Sequence, residues 1–194
     1  MIDDLDKTLE QLLRKELPAT LVSQVTITFA TPDGKFPPQS VTLPALDLFL
    51  YDVRENRELR NNEWLIERQG NGQAVHTPPP VRMDCSYLIT AWPSSTAPNP
   101  AEDEHRLLGE VLTVLLRHRT IPMEMLQGSL VRQTPVPPAL AAQSDRMQNT
   151  ADFWQALGGR PKAALNYTVT IAFAPQESAQ GPVVVEKVIN MNQI

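Results

Sequence analysis

Residues 81–122 place the longest strand-like alternation in the chain directly before its strongest helical pattern, and this adjacency constrains the fold more than any other feature. Between Val81 and Trp92, residues Val81, Met83, Cys85, Tyr87, Ile89 and Ala91 share one face, while Arg82, Asp84, Ser86 and Thr90 share the other. That period of two is expected of a half-buried strand. Leu88 and Trp92 interrupt the polar face, so part of it is expected to be covered too, by a helix or another subunit. After a polar linker at 93–100, a helix is predicted over about 101–118. Acidic residues Glu102, Asp103 and Glu104 open it and Arg117, His118 and Arg119 close it, as the helix dipole favours. Leu107, Leu108, Val111, Leu112, Val114, Leu115 and Leu116 wrap more than half its circumference, which predicts a core helix rather than one with its back in water. Gly109 in its middle costs about 1 kcal/mol relative to alanine, and close approach of another backbone is the expected reason.

The rest of the chain reads as packing onto this pair. Ile2, Leu5, Leu9, Leu12 and Leu13 predict a first helix, capped by Asp3 or Asp4 and ended by Pro18. Strands are expected at 25–29, 46–53, 63–69, 129–133, 163–174 and 183–189, with 46–53 interior because only Asp47 and Asp52 interrupt its apolar residues. The segments 37–44, 54–62 and 70–80 read as an edge or loop, an exposed loop and a connector; 134–145 is open between loop and short helix. A short helical turn follows Pro122, and a helix over 151–157 stops at Gly158-Gly159. Eighteen prolines against eight glycines imply stiffened connections. At 194 residues the chain is expected to be one domain, burying roughly 70% of the surface an unfolded chain exposes. Strands 25–29, 46–53, 81–92 and 163–174 are expected in one mixed, mainly antiparallel sheet under the 101–118 helix, an α+β fold.

Little in this sequence carries chemistry. A formal charge of −5 without clustered Lys and Arg argues against a nucleic-acid partner. No run is long enough for a membrane span, and the opening Met-Ile-Asp-Asp lacks the basic and apolar regions of a cleaved secretion signal. The lone Cys85 excludes a disulfide framework and reads as a buried, inert thiol, in keeping with a reducing cytosol. His76, His105 and His118 are too scattered for a zinc pair. Glu102 and His105 share a helix face, but a charged first turn is normally solvated. Asp84 and Cys85 are strand neighbours and point to opposite faces, so they do not make a base and nucleophile. Asp47, Asp52 and Asp84 can converge only if their strands adjoin, and pairing with Arg54 or Arg82 is the plainer reading. Phosphate loops, nucleophile elbows and dinucleotide fingerprints are all missing from the sequence. Neither a catalytic residue, a cofactor nor a metal is therefore expected. Trp64, Trp92 and Trp154 read as core, although aromatics at loop junctions also serve interfaces.

Four blocks in order, LPALDLFLYDVREN (43–56), PPVRMDCSYLITAW (79–92), EDEHRLLGEVLTVLLRHRTIP (102–122) and FWQALGGRPKAALNYTVTIAF (153–173), resemble the Pvc16-type N-terminal domain family of cap proteins from extracellular contractile injection systems. The resemblance implies a phage tail-terminator-like fold and a homohexameric ring closing the end of a tube and sheath in a phage-tail-like particle. Tube and sheath proteins are then the partners, and longer members carry additional C-terminal sequence. The expected subunit contacts are the 54–62 loop with Arg54, Arg57 and Arg60, the junction at Trp92 and Pro93 opening the 93–100 loop, and the 134–145 segment. Alternatives from other classes are a monomeric binding domain and an enzyme without a motif; oligomeric state discriminates.

Overall fold

The computed structural model describes residues 1–69, 73–133, 136–142, 150–174 and 177–182. In chain order the elements are α1 (Ile2–Glu16), α2 (Ala19–Val22), β1 (Thr26–Thr28), β2 (Ala45–Glu55), β3 (Leu65–Arg68), β4 (Gln73–Thr77), β5 (Val81–Trp92), α3 (Pro100–Arg117), 3-10 turns at Met123–Met125 and Gly128–Arg132, β6 (Ala139–Ala141), α4 (Thr150–Ala156), β7 (Leu165–Phe173) and β8 (Ala179–Pro182). Five strands form one sheet in the order β1-β2-β5-β7-β6, in which only the short β1–β2 pair is parallel. The four strands expected together therefore do share a sheet, with β5 at its centre over the residues its alternation marked out. A second, antiparallel sheet has the order β3-β4-β8.

The register places Leu46, Leu48 and Leu50 of β2 opposite Ala91, Ile89 and Tyr87 of β5, and Tyr87, Cys85 and Met83 opposite Tyr167, Val169 and Ile171 of β7. Partners across a ladder share a face, so one side of the sheet is an apolar platform. Leu5, Leu9, Leu12 and Leu13 of α1 and Leu107, Leu108, Val111, Val114 and Leu115 of α3 join it in one buried cluster. Tyr87 donates to Asp6 Oδ1 of α1 at 2.7 Å, fixing that helix over the centre of the sheet.

Several expectations are corrected. α3 is not sheathed all round: Leu116 and Gly109 face solvent, so the helix shares the core with α1 and keeps its back in water. No atom beyond the helix lies within 4 Å of where a Gly109 Cβ would sit, so no backbone approaches it. α1 begins at Ile2 without a side-chain cap. The Asp4 carboxylate instead accepts from the Ser129 backbone N–H at 3.0 Å and its hydroxyl at 2.6 Å. That contact is also why 129–133 is a 3-10 turn rather than a strand: Gly128 has φ 55°, a Cβ there would collide with Asp4, and the chain curls round the carboxylate. The 70–80 connector contains β4, and 134–145 contains β6, a strand of three residues. The strand expected at 183–189 lies outside the described residues.

Candidate functional site

The possible catalytic groups are held apart. Cys85 is buried in the apolar platform, where desolvation pushes its thiol up to about 12, so it is not a nucleophile at neutral pH. Asp84 faces the other side of the sheet and accepts from Thr170 Oγ1 at 2.6 Å and from the Asn56 amide at 3.1 and 3.2 Å. Asp52 pairs with Arg54, 2.5 Å away. Asp47 is fully buried, neither oxygen completes a hydrogen bond, and burial lifts its pKa to about 8, only partly offset by the nearby Ala30 backbone N–H. β2 and β5 do adjoin, yet the three carboxylates do not converge. Asp47 and Asp52 are five residues apart, roughly 16 Å along a strand, with a bulge between. Glu102 and His105 are both exposed. Among the described residues no group of His, Cys, Asp and Glu is placed to hold a metal, and no helix is long and apolar enough to cross a membrane.

The expected contact residues fall into two places. Arg54 and Arg60 sit where β2 turns outward; Arg60 grips Glu55 with two hydrogen bonds of 2.7 and 2.6 Å, and Arg57 is exposed between them. The turn is pinned to the sheet, because Asn56 also donates its backbone N–H to the Arg82 carbonyl at 2.8 Å. Trp92 lies at the far end of β5, eight residues beyond the position paired with Arg54, or roughly 27 Å away. It is already engaged: Phe36 stacks on it at 4.2 Å between ring centroids, the Lys162 ammonium sits 4.7 Å over its ring, and Lys162 forms an ion pair with Glu104. Pro93 is half-buried beside it. This group borders a cleft of about 600 Å³ that also reaches Asp33, His105 and Arg160.

The exposed apolar residues lie elsewhere. Trp64, Leu65 and Ile66 are 51%, 59% and 55% exposed on and before β3, the outer strand of the small sheet. Leu59, Leu116 and Leu140 are 49%, 59% and 56% exposed around a groove of about 550 Å³ between the turn after β2, the end of α3 and β6. The adjacent pair Leu65-Ile66 in so short a strand is the sequence signal for the first patch, since it puts apolar groups on both faces.

The Pvc16 N-terminal domain family profile matches residues 4–186. The chain belongs to this family. No match is found among curated proteins. Among solved structures, a Pvc16-type fold recurs in the PVC sheath/tube terminator of an extracellular contractile injection system in its extended state, with a TM-score of 0.69 and 24% identity over 100% of this chain. It recurs also in the tube-terminating cap of the anti-feeding prophage, with a TM-score of 0.64 and 22% identity over 100% of this chain. This chain spans 64% and 61% of the lengths of those two proteins. The mixed α+β fold is thus that of tube terminators, as the four sequence blocks implied.

Proposed function

We propose that this Pvc16-type chain is a single cap domain that closes the end of the tube and sheath of a contractile injection system. Six copies form a ring, assembled in the cytoplasm into a phage-tail-like particle. The observation that carries the reading is that the whole chain, not a fragment of it, aligns with two terminators. The site chemistry agrees with a non-catalytic role, because every buried carboxylate and the thiol sit singly, without the paired acid, base or nucleophile that catalysis needs. A closed cyclic ring requires heterologous contacts, one surface of each copy meeting a different surface of the next. The test is assembly of particles with and without this chain, imaged by electron microscopy. Tubes of uncontrolled length in its absence, and sixfold rings at tube ends when it is restored, are expected. Tubes of normal length without it overturn the proposal.

The arginine loop is best probed at Arg57. Reversing Arg54 or Arg60 would set a new carboxylate beside Asp52 or Glu55 and disturb the turn itself. Arg57→Glu changes only an exposed charge, so lost capping by that variant with an unchanged melting temperature would place the loop in a contact.

A further inference from the structure

We propose that the apolar residues of β3 on one copy of this chain dock into the Leu59–Leu116–Leu140 groove of the next, forming the heterologous contact of the ring. The inference rests on the cap reading above and names the surfaces it leaves open.

β3 is poorly served within its own chain. It pairs with β4 alone, all four of its residues are exposed, and Leu65 and Ile66 project to opposite faces. A short outer strand that is apolar on both faces is a liability in water, because it templates association, and folds normally blunt such edges. Here the two residues are not blunted, which is what an edge made to be covered looks like.

The groove supplies a complementary surface on a different part of the molecule. Its exposed leucines come from three separate elements and converge on one depression, and its rim carries His118 and Arg119. β3 is flanked by exposed Glu63 and Glu67. Acidic flanks entering a basic rim give the contact a polarity, so that like patches repel weakly while unlike patches attract. Two distinct patches that fit each other and not themselves generate a ring rather than a twofold dimer.

Size favours a second copy that is held by ring closure. Three half-exposed side chains offer on the order of 300 Å², against ~800 Å² per partner in a standard stable interface. One such contact is weak in free solution, and it becomes durable when six close on a tube end and each copy is held from both sides.

Cross-linking tests this without the tube. A chain carrying Ile66→Cys and a differently tagged chain carrying Leu140→Cys are mixed at high concentration and treated with a short bis-thiol reagent; buried Cys85 does not compete. The mixed 66–140 product is expected at least fivefold over either same-chain dimer. Adding Leu116→Glu to the second chain should lower that yield at least threefold without altering its melting temperature, because Leu116 is already in solvent. A statistical mixture, a dominant 66–66 dimer or no product overturns the proposal, as does coupling of the Ile66→Cys chain to tube protein in place of the Leu140→Cys chain. Failure here leaves the cap reading intact with its contacts elsewhere. Absence of the chain from tube ends removes the cap reading whatever the cross-linking shows.

Discussion

The two faces of the five-stranded sheet are stabilised in different ways. On one, Leu46, Leu48, Tyr87, Ile89, Val169 and Ile171 are buried under α1 and α3 and contribute through apolar area. On the other, six of the seven buried polar residues among those described come together: Asp47, Asp84, Ser86, Thr90, Thr168 and Thr170. Most of these have partners across the strands. Ser86 and Thr168 share a hydroxyl contact of 3.1 Å, Thr170 donates to Asp84, and the Trp92 indole N–H donates to Thr90 at 2.9 Å. On the first face the cost of a substitution follows volume. On the second it follows whether the remaining partner is left unsatisfied, and its sign can reverse.

The largest effect is expected on the apolar face. Ile89→Ala removes a fully buried side chain from beneath the helices and should cost about 4 kcal/mol in urea unfolding, transfer and cavity costs together. A cost under 1 kcal/mol would mean that the two faces do not differ as argued.

The next effect has the opposite sign. Asp47 is buried without a completed hydrogen bond, and its pKa is raised to about 8. Below about pH 4 the carboxyl is neutral in both the folded and unfolded chain. As pH rises from there towards 8, the unfolded chain gives up the proton while the folded chain keeps it. The folded state then binds more protons, and stability falls with pH. Asp47→Asn is free of this loss. It should match the parent near pH 4 and exceed it by about 2 kcal/mol at pH 7. An equal difference at both pH values would refute the assignment.

These faces were legible in sequence to different depths. β5 and α3 stood out because each carries many residues in one period, and register then followed from burying Met83, Cys85, Tyr87 and Ile89 together. β4 and β6 did not, since strands of five and three residues hold too little alternation to separate from a connector. Leu130 and Val131 look strand-like locally; only the distant Asp4 carboxylate decides otherwise. Arg54 and Trp92 were grouped as one interface because the sequence does not give the β2–β5 register that puts them at opposite ends of a strand pair. Trp64 to Ile66 read as buried for the ordinary reason that apolar runs usually are.

A smaller test stays on the polar face. Ser86→Ala leaves the Thr168 hydroxyl buried without its cross-strand partner and should cost about 1 kcal/mol. Restoring the balance with Thr168→Val in the same chain should recover most of it, because a hydroxyl pair replaced on both sides leaves nothing unsatisfied. Additive losses in the double variant would show that the two hydroxyls act independently.

The smallest effect concerns the layer over the apolar face. α3 buries Leu107, Val111, Val114 and Leu115 on one side and turns Gly109 to solvent on the other, with nothing outside the helix within 4 Å of a Cβ there. A glycine kept for packing loses stability when replaced by alanine, through collision. A glycine in open solvent gains, because alanine restricts the unfolded chain and suits the helix. Gly109→Ala should therefore raise stability by roughly 0.5–1 kcal/mol, read as a shift of the urea midpoint at constant slope. The sign carries the test: destabilisation would mean that α3 is enclosed on both sides and that the sheet's apolar face is covered by more than two helices. If the variant chain is more stable but no longer caps tubes, the added methyl group meets a partner that the free chain lacks. The glycine's cost to the helix would then be explained by assembly rather than by folding.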